Sequence, residues 1–554
     1  MEDILKYVRE NIKRLIPYST ARDDCKIKMD VYLDANENPY NNGVNRYPSP
    51  FQEELKERIA ILRKTGSKNI FLGNGSDEAI DLIYRIFCEP NKSSALIISP
   101  SYGMYSVAAE INAVEIIKYR LEENFGLDAR KMLSLVREDT KVIFICSPNN
   151  PSGNLLSQKE IEYVIDNFDG IVVVDEAYID FAGSSSFSRL VNEKRNLVVL
   201  QTLSKLYAMA GLRVGIAIAN RDIVKIMNNV KYPYNISCIN QQTALSLLKE
   251  PLKIREQCEA IIEERGYLEK MLQPLSIVKK VYKSDANFLL VKFADKDIAF
   301  KTLGNGGVIV RDRSSLEMCD NSLRITVGTP KENDRLLGIL YALDNKEFHA
   351  REKGGTDSGR SNGRRAIVSR ETNETSIQIA LDLDRFYTPF ISTGLNFFDH
   401  MLEQIAYHAN IGLNIVAVGD LKRDDHHTIE DVAITLAQAF DRALGARKGI
   451  ERYGFSLPMD EAEATVLIDL GGRIDFKWEV EFKGNMIGDV NAQMFNHFFK
   501  SFAQNLKCNL HIKADGENDH HIIEGVFKAF ARAMKCAVRE DRQNAGIPSS
   551  KGKL

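Results

Sequence analysis

At 554 residues the chain is longer than one hydrophobic core supports, so we expect several compact units. Its composition is ordinary for a globular protein, and its net charge of −3 argues against a general nucleic-acid or membrane binder. The eight cysteines are scattered and form no C-x-x-C pair, so we expect no disulfide framework. We see no signal-peptide pattern and no apolar run long enough to span a bilayer, and we therefore predict a soluble, cytoplasmic protein.

The first part of the chain alternates strand-like apolar runs with loops and amphipathic segments. The runs lie at residues 95–99, 142–146, 171–174, 197–200 and 214–219. This alternation predicts a mainly parallel sheet with helices on both faces. Such sheets bind ligands at the carboxyl ends of their strands. Polar segments follow two of the runs there, at 147–151 and 175–178.

The segment around Lys205 contains residues that could bind a cofactor carrying an aldehyde and a phosphate. It reads TLSKLYAMAGLRVG, at 202–215. The lysine amine can condense with the aldehyde, while Ser204 and Arg213 can bind a cofactor phosphate. Asp175 can keep a pyridine nitrogen protonated, so that the ring accepts electrons. These companions carry the prediction, because a lone Ser-Lys pair is uninformative.

Other groups complete this predicted cofactor site. The sequence GNGSDE at 73–78 precedes a helix that we expect to start near Ala79, and its amides would cradle a phosphate. Asn150 and Tyr178 can hydrogen-bond a ring oxygen, and Tyr102 can stack on the ring.

The clearest change in composition lies at residues 347–365, which are rich in Gly, Ser, Arg and Asp and lack a core-forming run. We predict a flexible linker at 349–364 between domains at 1–348 and 365–554. A surface loop within one domain is the alternative.

After this linker, strands and helices alternate again. We expect strands at 376–384 and 463–470 and helices at 397–409 and 493–506, together with two helices that begin at a repeated motif. The first of these runs on through 431–444. The pattern predicts an α+β domain made of two duplicated ββαβ-type halves.

The repeated motif is D-H-H-x-I-E, at 425–430 and 519–524, and its two copies are 94 positions apart. In a helix, His426 and Glu430 lie on one face, as do His520 and Glu524. The middle histidine of each copy projects about 100° away round the helix axis. Each copy can therefore give a His and a Glu to one metal ion and its spare His to another.

Histidine usage supports a metalloenzyme. All nine histidines lie at or after His349. A single His-His pair would more often be a solvated surface feature, but the motif occurs twice. Mn²⁺, Fe²⁺ or Zn²⁺ suits imidazole and carboxylate ligands, and the absence of thiolates argues against a structural zinc site. Candidate phosphate ligands are Arg452, Arg473 and the Ser-Ser-Lys-Gly segment at 549–552.

Residues 1–348 resemble fold-type I pyridoxal-phosphate aminotransferases, and specifically histidinol-phosphate aminotransferases. The matching motifs are LDANENPY, NRYPSP, GNGSDEAI, SPNNPSGN, VVDEAYIDF, TLSKLYAMAGLRVG and LRITVGT. This resemblance implies a large domain with a mainly parallel seven-stranded sheet, a small α+β domain, bound pyridoxal 5′-phosphate and a homodimer.

The resemblance also implies residue roles. Lys205 is the Schiff-base lysine and proton shuttle, and Asp175 pairs with the pyridine nitrogen. Tyr178 and Asn150 contact the ring oxygen. The expected phosphate ligands are Ser76, Asp77, Ser204 and Arg213, with Tyr47 reaching the neighbouring subunit's cofactor phosphate. Arg324 holds the anionic end of the substrate, because its planar donor fork suits both the carboxylate of glutamate and a phosphate.

Residues 365–554 resemble imidazoleglycerol-phosphate dehydratases. The matching motifs are ETNETSIQIALDLD, FFDHMLEQIAYHA, DDHHTIEDVAITL, HFFKSFA, DHHIIEGVFKAFARA and IPSSKG. The resemblance implies two Mn²⁺ or similar divalent ions and a large shell-like assembly. It assigns one ion to His400, His427, His520 and Glu524, and the other to His426, Glu430, His497 and His521.

Six further residues match family contacts to the substrate. Glu374 and His408 face it, and Arg452, Arg473, Ser549 and Lys551 bind its phosphate. The carbon to be deprotonated is attached to imidazole and has no neighbouring carbonyl, which explains the need for metal. Either Glu374 or a ligand such as Glu524 can serve as acid or base.

Together the two resemblances predict a bifunctional enzyme of L-histidine biosynthesis acting on small phosphate substrates and glutamate. The dehydratase product, imidazole-acetol phosphate, is the ketone that the aminotransferase family converts to L-histidinol phosphate. Two alternatives remain open at this stage. The first half could be an aromatic or broad-specificity aminotransferase, or one half could be a non-catalytic assembly module.

Overall fold

The computed structural model describes residues 2–18, 30–351, 364–421, 423–453 and 456–540. The chain divides into two compact units, Met1–Lys353 and Gly354–Leu554. Residues 352–363, most of the expected linker, lie outside the described residues, so the linker stays a prediction. Within the described ranges, no helix has both the length and the apolar character needed to cross a membrane.

The described helices of the first unit are α1 (Glu2–Leu5), α2 (Glu10–Lys13), α3 (Glu53–Arg63), α4 (Ser76–Phe87), α5 (Met104–Ile111), α6 (Ala129–Leu133), α7 (Gln158–Asn167), α8 (Arg221–Val230), α9 (Cys238–Leu247), α10 (Pro251–Leu272), α11 (Lys296–Asn305) and α12 (Pro330–Leu343). Its strands are β1 (Ile70–Asn74), β2 (Ser94–Ser99), β3 (Glu115–Arg120), β4 (Thr140–Cys146), β5 (Ile171–Asp175), β6 (Leu197–Thr202), β7 (Val214–Ala219), β8 (Val278–Val281), β9 (Phe288–Phe293), β10 (Arg311–Asp312) and β11 (Ser322–Thr326).

Seven of these strands form one large sheet in the order β1-β7-β6-β5-β4-β2-β3. Strand β7 runs antiparallel to both of its neighbours, and the other pairings are parallel. Strands β5, β6 and β7 are buried throughout, as expected where helices cover both faces of a parallel sheet. The predicted mainly parallel seven-stranded sheet is confirmed.

This unit also contains a smaller antiparallel sheet, in the order β10-β11-β9-β8. Its core includes Leu268 and Leu272 of α10, Leu303 of α11 and Leu337 of α12. These helices therefore pack on the sheet, which gives the expected small α+β domain.

Helix α4 starts at Ser76, three residues before the expected position near Ala79. Gly75, which precedes it, has a φ of 77°, a left-handed conformation that favours glycine. This turn allows the helix to begin directly after β1, so its first amides lie at the carboxyl end of the large sheet.

The described helices of the second unit are α13 (Asn396–Ala409), α14 (His426–Leu444), α15 (Gln493–Leu506) and α16 (Asp519–Val538). Its strands are β12 (Arg365–Glu371), β13 (Thr375–Asp382), β14 (Phe390–Ser392), β15 (Gly412–Gly419), β16 (Ser456–Met459), β17 (Ala462–Asp469), β18 (Asp475–Val480), β19 (Met486–Ile487), β20 (Val490–Asn491) and β21 (Asn509–Asp515).

Two sheets of the second unit repeat one pattern. Their orders are β12-β13-β15-β14 and β16-β17-β21-β18. In each, the first three strands in this order pair antiparallel and the last pairing is parallel. The predicted duplication is confirmed, although each of these sheets contains one strand more than the ββαβ pattern and the second half adds the separate pair β19-β20. Each half ends in the helix of a D-H-H-x-I-E motif.

The four helices pack across the two halves. Helix α13 packs against α16, and α14 packs against α15. One continuous core joins them, and it includes Phe398, Phe440, Phe498 and Phe527, all fully buried. Each packed pair takes one helix from each half, so residues of both halves meet.

Candidate active sites

The predicted cofactor residues of the first unit follow the carboxyl ends of the strands of its large sheet. Asp175 ends β5, and Asn150 lies just beyond β4. Ser204 and Lys205 follow β6, Tyr102 follows β2, and Ser76 begins α4 just beyond β1. Since parallel strands end at the same edge, the fold gathers these residues at one edge of the sheet.

Asp175 is a buried carboxylate with two hydrogen-bond donors. Its side chain accepts the phenol proton of Tyr105 at 2.6 Å and the amide proton of Ala177 at 3.0 Å. Burial raises the pKa of Asp175, and the hydrogen bond from Tyr105 opposes that rise. Tyr105 is fully buried and was not singled out from the sequence. The available signal was its recurrence three residues after Tyr102 in SPSYGMY.

The amine of Lys205 lies 5.6 Å from the centre of the Tyr178 ring. Although the residue remains open to solvent, desolvation lowers the pKa of Lys205, and the positive charge of Arg324 lowers it further. Asp175 has the opposite effect on this pKa. A lowered pKa increases the fraction of neutral amine, which is the form that attacks a carbonyl or accepts a proton.

Asp77 joins two other predicted cofactor residues. It accepts a hydrogen bond from the Tyr102 hydroxyl at 3.0 Å and one from the Arg213 guanidinium at 3.3 Å. These contacts place Tyr102 and Arg213 beside the first turn of α4, where Ser76 and its neighbours present unpaired amides.

The turn before α4 lies directly against strand β7. A Cβ atom added to Gly215 would lie 2.2 Å from the Gly75 carbonyl carbon and from the Ser76 nitrogen. A Cβ atom on Gly75 would lie 2.5 Å from a guanidinium nitrogen of Arg213. Only glycine therefore permits this close packing of strand, turn and arginine.

Two arginines lie near the ring-side residues. Arg324 donates to the Asn150 side-chain oxygen at 2.7 Å, and Asn150 approaches the Tyr178 hydroxyl at 3.5 Å. Arg313, which was not singled out from the sequence, interacts electrostatically with Arg324 and Tyr178. Its Nε is buried and has no hydrogen-bond partner among the described residues. Burial lowers the pKa of Arg313, as does the charge of Arg324. This pair of cations suits an anionic group.

Tyr47 is half-exposed and stacks on Tyr234, with ring centroids 4.5 Å apart. Its backbone amide donates to Glu37 at 2.6 Å. Neither contact involves the cofactor residues described above. Its expected role toward a neighbouring subunit stays a prediction.

These residues fit pyridoxal 5′-phosphate. The buried carboxylate of Asp175 matches a protonated ring nitrogen, the amine of Lys205 matches the aldehyde, and the α4 amides with Arg213 match the phosphate. The half-buried ring of Tyr102 offers a stacking surface. Each functional group of the cofactor thus has a chemically matched partner at one sheet edge.

Among the described residues of the second unit, two clusters of potential metal ligands are found. His400, His520 and Glu524 form the first cluster, and His426, Glu430 and His497 form the second. Within each cluster the ligand atoms all lie within 4.8 Å of one another. The first combines α13 with α16, and the second combines α14 with α15.

Each cluster pairs a histidine and a glutamate four residues apart. His520 Nε2 lies 3.2 Å from Glu524, and His426 Nε2 lies 3.6 Å from Glu430. His497 Nε2 lies 3.3 Å from Glu430. The structure thus brings together three members of each expected set of four.

The middle histidine of each motif lies outside its expected cluster in the single chain. His427 Nδ1 is 3.3 Å from Glu374, and His521 Nδ1 is 2.9 Å from Glu461. The hydrogen bond between His521 and Glu461 raises the pKa of His521. Helical spacing turns these side chains about 100° away from the flanking His and Glu of the same motif, but within one chain it does not bring them to the cluster of the other motif.

The clusters fit divalent metal ions of the Mn²⁺, Fe²⁺ or Zn²⁺ type. Nε2 of His497 is buried and has no hydrogen-bond partner within the described ranges, although Glu430 lies close by. A buried imidazole nitrogen without a partner is unfavourable unless it binds a ligand. Mixed imidazole and carboxylate donors are typical of such metals.

The residues expected to face the substrate are Glu374 and His408, and they have different surroundings. Glu374 lies 3.3 Å from His427 and 3.5 Å from Arg423. Desolvation lowers the pKa of His408, and the charges of Lys528 and Arg532 lower it further. Lys528, which was not singled out from the sequence, lies 2.8 Å from Glu524. Burial opposes ionisation of Glu524, but Lys528 outweighs it and the pKa of Glu524 is lowered.

The expected phosphate ligands are described only in part. Arg452 donates to Asp469 at 2.9 Å, and its guanidinium lies 5.1 Å from the Tyr453 ring centre. Arg473 is exposed in the loop after β17. Ser549 and Lys551, with the neighbouring Ser550, lie outside the described residues.

Comparison with known families assigns both units. The family model for aminotransferase class I and II matches residues 23–340, and that for imidazoleglycerol-phosphate dehydratase matches residues 393–534. Pyridoxal 5′-phosphate is the cofactor of the first family, and the second depends on divalent metal.

Individual relatives agree with the first assignment. The histidinol-phosphate aminotransferase of Parabacteroides distasonis is 51% identical over 340 residues, covering 61% of this chain and 99% of the relative. That of Bacteroides thetaiotaomicron is 47% identical over 341 residues, with the same two coverages. The crystal structure of histidinol-phosphate aminotransferase from Clostridium acetobutylicum matches with a TM-score of 0.51 and 27% identity, covering 55% of this chain and 91% of that one.

The first unit therefore makes this chain a member of the class I and II aminotransferase family, close to histidinol-phosphate aminotransferases, and the second unit adds an imidazoleglycerol-phosphate dehydratase domain.

Proposed function

We propose that the chain catalyses two consecutive steps of L-histidine biosynthesis. The second unit dehydrates D-erythro-imidazoleglycerol phosphate to imidazole-acetol phosphate. The first unit transfers the amino group of glutamate to that ketone, which gives L-histidinol phosphate and 2-oxoglutarate. The main support is that both family matches lie on one chain and that the product of one reaction is the substrate of the other.

In the aminotransferase unit, bound pyridoxal 5′-phosphate supplies an electron sink. The buried carboxylate of Asp175 holds the ring nitrogen in its protonated form, and Tyr105 keeps that carboxylate oriented. The amine of Lys205 would act as the 1,3-proton shuttle, taking the proton from the substrate carbon and delivering it two atoms away, on the far side of the amino nitrogen. Its lowered pKa keeps a neutral fraction available for this transfer.

The same unit binds the anionic ends of both substrates. Arg324 is fixed by its hydrogen bond to Asn150 and retains further N–H donors. Arg313 adds a second charge and the unpartnered Nε. Guanidinium groups bind carboxylates and phosphates through paired hydrogen bonds, so one region serves glutamate and the phosphate monoester alike.

In the dehydratase unit, divalent metal supplies positive charge next to the substrate imidazole. Lys528, His400 and His520 lower the pKa of Glu524 and so favour its ionised form, which suits a metal ligand. Glu374 lies outside both clusters and is accessible, with His427 and Arg423 beside it. We therefore assign to Glu374 the proton transfers that accompany loss of hydroxide. The enol product then tautomerises to the ketone.

We also propose a cytoplasmic homo-oligomer that uses Mn²⁺. The half-exposed Tyr47 lies among other exposed apolar side chains, including Val44 and Phe51, which suit a dimer contact. The outward positions of His427 and His521 allow them to complete clusters of neighbouring copies in a larger assembly. Light scattering of the purified protein tests the homo-oligomer, and metal analysis tests the use of Mn²⁺.

Two variants of the full chain test the assignment of the reactions. Lys205→Ala should convert imidazoleglycerol phosphate to the ketone and stop there. The double variant His426→Ala with His520→Ala should form no ketone but should still aminate added ketone. Amination by Lys205→Ala would refute the role of the lysine, and faster amination of aromatic oxoacids by the unmodified chain would favour the broad-specificity alternative.

A further inference from the structure

A short hairpin contacts all four helices that carry the proposed metal ligands. It comprises residues 483–492, with strands β19 and β20 and a turn at Gly488 and Asp489, and we call it the bridging hairpin. Ile487 and Val490 anchor it in the core of the second unit, where they are 5% and 0% exposed. The hairpin is therefore a packed element with fixed contacts.

The turn of the bridging hairpin caps helix α13, which carries His400. The residue at the N-cap position of α13 is Leu395, whose side chain accepts no hydrogen bond. Asp489 supplies the missing acceptors, since it binds the amide protons of Asn396 at 2.6 Å and Phe397 at 3.0 Å. A carboxylate at this position satisfies two unpaired amides and matches the helix dipole.

The same contact reaches a ligand on another helix. The ring of Phe397 meets the imidazole of His520 edge to face, with centroids 5.1 Å apart. A Cβ atom on Gly488 would lie 2.5 Å from the Phe397 Cβ. The turn thus fixes both the start of α13 and the aromatic ring that packs against His520.

The aspartate that opens each D-H-H-x-I-E motif binds the bridging hairpin as well. Asp425, at the start of α14, accepts the amide proton of Asn491 at 2.8 Å. Asp519, at the start of α16, accepts those of Lys483 at 3.0 Å and Gly484 at 2.8 Å. Neither aspartate belongs to a proposed ligand set. Both motif copies therefore begin with an aspartate that accepts backbone hydrogen bonds from the hairpin.

We propose that the bridging hairpin sets the relative positions of the metal-binding helices, with Asp425, Asp489 and Asp519 as positioning residues. Ligands from different helices bind one ion only when their helices hold a fixed spacing, and hydrogen bonds around a site help to supply that constraint. Asp489 serves the cluster of His400, His520 and Glu524. Asp425 serves the cluster of His426, Glu430 and His497. This inference rests on the proposed dehydratase function.

The test measures Co²⁺ affinity of the metal-free full chain from the visible absorption of the bound ion. Two backgrounds separate the clusters, because His497→Ala leaves the His400 cluster intact and His400→Ala leaves the His497 cluster intact. Asp489→Ala should weaken binding about ten-fold or more in the first background and leave it unchanged in the second. Asp425→Ala should show the opposite pattern.

Two matched variants separate positioning from general stability. Asp489→Asn keeps a capping oxygen and should restore most of the affinity. Glu481→Ala removes an exposed carboxylate just before the hairpin and should change nothing. If Asp489→Ala lowers the thermal midpoint of the metal-free chain but leaves Co²⁺ affinity unchanged in both backgrounds, or weakens both clusters equally, the proposal is overturned. Failure of the unsubstituted chain to bind Co²⁺ would instead refute the proposed function.

Discussion

The phenol of Tyr105 donates a 2.6 Å hydrogen bond to the carboxylate of Asp175, and both groups are buried at the carboxyl end of β5. This bond opposes the rise in pKa that burial imposes on Asp175. It therefore helps Asp175 to remain an anion that can hold a protonated pyridine nitrogen.

Replacement of Tyr105 by Phe tests this relationship. The substitution keeps the ring and removes the donor, so the pKa of Asp175 should rise and its hold on the ring nitrogen should weaken. We expect aminotransferase kcat to fall about ten-fold, in line with about 1.4 kcal/mol for one buried hydrogen bond. Dehydratase activity of the same sample is the control. Unchanged transamination would show that Tyr105 only fills space.

The pH dependence of the rate of cofactor attachment should depend on the charge of Arg324. Attachment requires the neutral amine of Lys205, so its rate rises with pH through the pKa of that amine. Desolvation and the positive charge of Arg324 both lower this pKa. Arg324→Gln removes the charge, and the midpoint of the rate profile should move to higher pH. Stopped-flow absorbance of apoenzyme mixed with cofactor measures it. Arg324→Lys keeps the charge and should leave the midpoint in place, whereas an equal midpoint in all three proteins would contradict the electrostatic account.

Arg313 should distinguish the two substrates of the aminotransferase unit. Its unpartnered Nε and its charge suit a doubly charged phosphate more than a single carboxylate. We expect Arg313→Gln to raise the KM for imidazole-acetol phosphate by roughly 10- to 100-fold, as for loss of a charged hydrogen bond of about 1.5–3 kcal/mol. The KM for glutamate should change less. Steady-state kinetics with each substrate varied in turn decides, and equal effects on both would argue against phosphate recognition.

Metal removal should separate the two activities. A chelator should abolish dehydration and leave transamination intact, because the metal ligands all belong to the second unit. His497→Ala should retain one ion fewer than the unsubstituted chain, as measured by elemental mass spectrometry. His511→Ala is the matched control, since His511 pairs with Asp475 outside both clusters. Loss of an ion in this control would show that the clusters are wrongly assigned.

Much of the fold followed from local patterns. Apolar runs located the central strands of the large sheet, because a strand covered on both faces must be apolar throughout. The helix that was expected at residues 397–409 is α13, and the one that was expected at 493–506 is α15. Spacing of four residues also placed each His–Glu pair of the repeated motif on one helix face.

The remaining site features depend on contacts between distant segments. Arg313 belongs to no motif, and the only local signal for Tyr105 is its spacing from Tyr102. Their importance appears when the fold brings them to Arg324 and Asp175. Asp489 caps a helix that begins 93 residues earlier in the chain, which no local pattern reveals. Helical spacing showed that His427 and His521 leave the faces of their neighbours, but the positions they reach are set by packing.

The most direct test of the account supplies the purified full chain with imidazoleglycerol phosphate, pyridoxal 5′-phosphate, Mn²⁺ and glutamate labelled at its amino nitrogen. Mass spectrometry should detect L-histidinol phosphate that carries the label, formed after a transient rise of imidazole-acetol phosphate. Persistent accumulation of the unlabelled ketone, or recovery of the starting phosphate unchanged, would contradict the claim that one chain performs both steps.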